Sequence, residues 1–89
     1  MILKNCMEIC ASKYIDEAMK NANMCTCERC RLDTLAITLN KLPPKYIVAA
    51  GSIASTKIKS LELQYDAIIR KEAEEAAFIV KRKNRHDLQ

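Results

Sequence analysis

Three of the five cysteines of this 89-residue chain fall within six positions, Cys25-Thr26-Cys27-Glu28-Arg29-Cys30. Thiolates held so close repel one another unless a cation compensates them, and Zn²⁺ takes sulfur ligands tetrahedrally at about 2.3 Å. The pattern reads as a zinc site with Cys25, Cys27 and Cys30 as ligands. C-x-C-x-x-C is more specific than a lone C-x-x-C, but it supplies three ligands where a structural site uses four. Cys6 and Cys10 sit on the apolar stripe of a helix whose far end meets the cluster, and there a free cysteine behaves as a small buried hydrophobe. His86 is the single histidine. It closes a Cys3His site if the end of the last helix approaches the cluster, and is otherwise a tail residue without a partner.

Other chemistries find less support. Clustered low-pKa thiols can exchange disulfides, but no thioredoxin-like βαβ pattern surrounds these. There is no G-x-S-x-G elbow and no carboxylate pair, and one histidine in a basic tail leaves nothing to assign as nucleophile and base. The expectation is a protein that binds rather than an enzyme.

The elements that position the cluster are helical. Leu3, Cys6, Met7, Cys10, Tyr14 and Ala18 recur at helical spacing and predict a first helix over about 2–21, ended by Asn21 and Asn23. Leu32, Leu35, Ala36 and Leu39 predict a second over about 27–40, with Thr26 as its N-cap and Leu42-Pro43-Pro44 as its stop. Tyr46-Ile47-Val48-Ala49-Ala50 is β-prone and precedes Gly51, the only glycine, which predicts a short strand and a turn. No second run of this kind is evident, so the strand is expected to pair with its copy in another subunit. From Ser55 to Lys83 there is neither Gly nor Pro, and Ile58, Leu61, Tyr65, Ile68, Glu72, Ala76, Ile79 and Val80 predict one long third helix. The fold class is thus mainly α: one domain over 1–89, with three helices, one short strand, a zinc staple and a homodimeric interface to cover the surplus apolar surface. Residues 81–89 form a basic tail.

The chain is 49% hydrophobic and 29% charged, the balance of a globular helical chain rather than a disordered one. An odd cysteine count and no secretory pattern point to a reduced, cytoplasmic protein. Ile47 to Ala50 is the longest purely apolar stretch, far short of the roughly 20 residues that span a bilayer, so no membrane insertion is expected. The net charge of +4 is mild. Lys81, Arg82, Lys83 and Arg85 crowd the end of the chain, where cations complement a helix C-terminus, and nucleic-acid binding is not expected.

The run from Cys25 through Cys30, then Asp33, Ala36, Leu39-Asn40, Leu42-Pro43-Pro44 and Tyr46-Ile47-Val48, resembles the signature of the ComFB family, the late competence development proteins of bacteria. The resemblance implies a small, mostly helical cytosolic homodimer with zinc held at Cys25, Cys27 and Cys30. Some proteins of this type look like receptors for cyclic dinucleotides such as cyclic di-GMP or cyclic di-AMP, which would make this chain a signalling protein with an unknown protein partner. The alternative it implies is a structural or adaptor component of the late competence apparatus with no small ligand. Some relatives carry a further cysteine near the carboxyl end; this chain has none there, which draws attention to His86. A cyclic dinucleotide needs cations for two phosphates, and Lys41, Lys45, Lys57 and Arg70 are the candidates by charge and location, each with a solvated-surface reading beside it.

Overall fold

The structure, a computed structural model, describes residues 2–49 and 53–83. Along the chain come β1 (Ile2–Asn5), α1 (Cys6–Asn21), α2 (Glu28–Asn40), β2 (Tyr46–Ala49) and α3 (Ile53–Lys83). Three helices and a two-stranded sheet fit the mainly α expectation, with one change at the start of the chain. The first helix begins at Cys6 rather than near residue 2, because residues 2–5 form a strand antiparallel to β2, with Leu3 opposite Val48 and Asn5 opposite Tyr46. The expected strand therefore finds a partner within its own chain, and the pairing between subunits anticipated for it is not needed.

Asn5 explains the switch from strand to helix. Its extended backbone closes β1, while its side-chain oxygen accepts from the N–H of Met7 at 3.2 Å, capping α1, and from the N–H of Lys45 at 2.9 Å. The Cys6 N–H donates to the Lys45 carbonyl at 2.7 Å, so the entry to α1 and the approach to β2 are clasped together. At the other end of α1, Asn23 adopts φ 54°, the Met24 N–H returns to the Met19 carbonyl and the Asn23 N–H to that of Lys20. This paired return is a Schellman closure, and a left-handed asparagine supplies its turn. The expected turn at Gly51 lies outside the described residues.

The helices meet along two buried clusters. One joins Ile15, Ala18 and Met19 of α1 to Cys30 of α2 and Ala73, Ala77 and Val80 of α3; the other joins Met7, Cys10 and Ala11 to Leu42 and Ile69. Cys6 and Cys10 are wholly buried, as core cysteines should be, and the Cys10 thiol donates to the Ile58 carbonyl at 3.7 Å. Burial of Met19, Ile15 or Ile69 stabilises the fold by roughly 1.5–3 kcal/mol each.

Two apolar stripes differ from the sequence pattern. The buried residues of α2 are Cys30, Thr34 and Thr38, while Leu32 is exposed and Leu35 and Leu39 are half-buried. The two threonines enter the core because each hydroxyl donates to the carbonyl four residues back, Thr34 to Cys30 and Thr38 to Thr34, both at 2.8 Å. On α3 the stripe runs through Ile69 and Ala73 rather than Ile68 and Glu72, which keeps a carboxylate out of the core and lets small residues bring α3 close to its neighbours.

A candidate metal centre between two helices

The Schellman turn aims the chain leaving α1 straight into the thiol cluster. Cys25 lies in the connecting loop, Cys27 is the N-cap of α2 with extended backbone (φ −65°, ψ 164°), and Cys30 lies in the first turn of α2. Thr26, expected as the N-cap, precedes it by one residue, and the Cys27 sulfur at the helix start lies beside the other two thiols. The three Sγ atoms all lie within 4.8 Å of one another. Sulfurs at the corners of a tetrahedron around Zn²⁺ stand about 3.8 Å apart, so a contraction on the order of 1 Å closes the site. The arrangement fits a metal ion.

The surroundings separate the thiols electrostatically. Cys27 is exposed, and the Cys30 N–H at the helix start, together with neighbouring thiols, pulls its pKa below the usual thiol value. Cys30 is only 4% exposed, and burial first, then the adjacent thiols, pushes it up to about 12. A divalent ion removes that conflict, because a buried thiolate beside a cation is no longer an uncompensated charge.

The carboxyl end of α3 does approach the cluster. Val80 shares a buried cluster with Cys30, and the Lys81 ammonium donates to the Ala22 carbonyl at 2.7 Å, at the start of the loop that carries the thiols. His86 lies outside the described residues.

The four candidate cations are not gathered in one place. Lys45 and Lys57 line a surface groove of about 390 Å³ with Pro44, Tyr46, Ile47, Ser60 and Leu61, and no acidic side chain is among the described residues lining it. The Lys45 ammonium stands 5.2 Å from the centre of the Tyr65 ring. Lys41 ends α2 on the surface and is not part of that lining. Arg70 belongs to the seam of α1 and α3, lying 5.2 Å over the Tyr14 ring with Asp66 at 3.2 Å and Glu17 at 3.6 Å. Tyr46, an exposed aromatic at the groove, went unremarked as a site residue in the sequence, where it reads only as part of a strand. Groove and thiols mark opposite ends of α2, about 20 Å apart along its axis.

A family model described as late competence development protein ComFB matches residues 4–84. The competence protein ComFB of Bacillus subtilis (strain 168) is 34% identical over 80 residues, spanning 89% of this chain and 82% of that protein. A solved structure, of the late competence protein ComFB from Bacillus subtilis, superposes with a TM-score of 0.74 at 32% identity, covering 92% of this chain and 91% of that one.

Proposed function

The chain belongs to the ComFB family of late competence development proteins, and from that premise we propose that it acts by binding rather than catalysis, as a zinc-stapled cytoplasmic homodimer receptive to a cyclic dinucleotide. The observation that carries the ligand reading is the groove at Lys45 and Lys57. Its volume, at the low end of the range of small-molecule sites, suits one nucleotide half, and its two ammonium groups suit a phosphate. A two-fold dimer would supply the second half-site.

Three features support the dimer and the metal. Leu3 and Val48 pair across the ribbon at 69% and 64% exposure, with Tyr46 on the same face, an apolar patch that a second copy would cover. An isolated two-stranded ribbon is marginal in water, so pairing or packing at this face stabilises it. For the metal, Cys25, Cys27 and Cys30 are the ligands, supported by their convergence, and His86, which follows α3 in the sequence, is the candidate for the fourth.

Calorimetry with cyclic di-GMP and cyclic di-AMP on the zinc-loaded protein tests the ligand. Binding lost in Lys45→Ala and Lys57→Ala supports the groove; no heat at tens of micromolar ligand overturns it. A second reading, an adaptor of the competence apparatus without a small ligand, is favoured by Phe78, which is 58% exposed beside a recess of about 380 Å³ on α3. Recovery of one competence protein in stoichiometric amount, lost in Phe78→Asp, would support it.

A further inference from the structure

We infer that Cys27 and Cys30 form a peroxide-sensitive pair whose oxidation to a disulfide expels the metal, so that the site reports oxidant as well as holding the fold. The inference rests on the metal reading above for its output, though not for the pairing itself. Its basis is the placement of the two sulfurs. Cys27 stands at the N-cap of α2, outside the helix and exposed, while Cys30 is one turn further on and buried against Val80. An accessible thiol that oxidant reaches and a protected one that resolves it is the arrangement a reversible redox pair requires. The C-x-x-C spacing across a helix start lets the two sulfurs meet, and they already lie within 4.8 Å. Cys25 and Cys27, one residue apart, would close a strained ring instead.

The chemistry balances with hydrogen peroxide as oxidant. The Cys27 thiolate attacks one peroxide oxygen, forming an S–O bond as the O–O bond breaks, and the departing hydroxide takes one proton from solvent to leave as water, as the hydroxide released in the second step also does. The Cys30 sulfur then attacks the sulfenic sulfur of Cys27, the S–S bond forms, the S–O bond breaks and the second oxygen leaves as water. Two electrons pass from the two thiolates to the peroxide. With Cys27 and Cys30 joined, Cys25 and one further donor would make a weak site, and a bound divalent ion would be released.

The experiment treats the full-length zinc-loaded chain with a tenfold excess of hydrogen peroxide. Released zinc is read with a chromogenic chelator, and bridges are read by alkylation and peptide mapping. Expected are one zinc released per chain, a Cys27–Cys30 bridge, Cys25 still alkylated, and zinc uptake restored by a thiol reductant; Cys25→Ser should form the same bridge. Zinc retained under peroxide, a bridge through Cys25, or sulfinic acid at Cys27 without a bridge would overturn the inference. Protein purified without zinc would defeat the metal reading alone, because the mapping still decides whether Cys27 and Cys30 join.

Discussion

Cys30 and Val80 lie in one buried apolar cluster, although 50 positions separate them in the chain. The thiol site is thus tied to the last turns of α3 as well as to the loop between α1 and α2. Any ion held there bears on all three helices, and a domain this small has little other reserve of stability.

Removing a ligand should therefore be felt globally. Cys27→Ser is expected to lower zinc content and melting temperature together, because metal binding and folding are linked, and a chelator should lower the melting temperature of the parent protein towards that of the variant. Elemental analysis beside thermal denaturation checks this. Full zinc occupancy in Cys27→Ser would remove that residue from the ligand set.

Tyr14 and Asp66 join α1 to α3 through one strong hydrogen bond, the phenol donating to the carboxylate at 2.5 Å. That bond, reinforced by burial, raises the Tyr14 pKa from 10.0 to about 12, and it holds Asp66 below the usual carboxylate range. A raised phenol pKa stabilises the fold fully below pH 10, where the unfolded phenol is also protonated, and the contribution is lost as pH rises from about 10 through 12. The lowered Asp66 pKa acts at the other extreme: its contribution is present at neutral pH and lost as acid protonates the folded carboxylate. Tyr14→Phe should cost about 1 kcal/mol at pH 7 and flatten the alkaline fall in stability, as read by urea denaturation between pH 8 and pH 12.

The thiol cluster was legible because its evidence is local: six consecutive residues hold all three sulfurs, and a helix start adjoins them. Residues 2–5 were misread because Leu3 continues the helical spacing of Cys6, Met7 and Cys10, while the Asn5 bond to Lys45 that ends the strand spans 40 positions. The core face of α2 was missed for a related reason. Thr34 and Thr38 look like surface residues until their hydroxyls are seen to bond within the helix, and no spacing rule announces that. The groove, too, joins Lys45 to Lys57 across segments whose approach depends on tertiary packing.

Close packing of α3 rests on its small residues, so enlarging one should be costly. Ala73 is fully buried between α1 and α2. Ala73→Leu is expected to destabilise by about 1–3 kcal/mol through overpacking, while Thr38→Val, which keeps the shape and loses a hydroxyl whose acceptor carbonyl is still served by the helix, should change stability by less than about 1.5 kcal/mol. Equilibrium unfolding of both variants tests the ranking, and a reversed order would mean that the buried threonine, not the alanine, sets how closely the helices pack.

The ribbon face offers a way to separate assembly from folding. Val48 is 64% exposed and faces away from the helices beside Leu3, so a charge there should cost the single chain little, within about 0.5 kcal/mol. In a dimer closed through this face, two copies of the new carboxylate would be buried near the two-fold axis, unpaired and mutually repulsive. Val48→Asp is therefore expected to sediment as a monomer with an unchanged helical circular dichroism spectrum, while the parent protein sediments as a dimer. A variant that remains dimeric would move the interface off the ribbon and leave Leu3, Tyr46 and Val48 to some other contact.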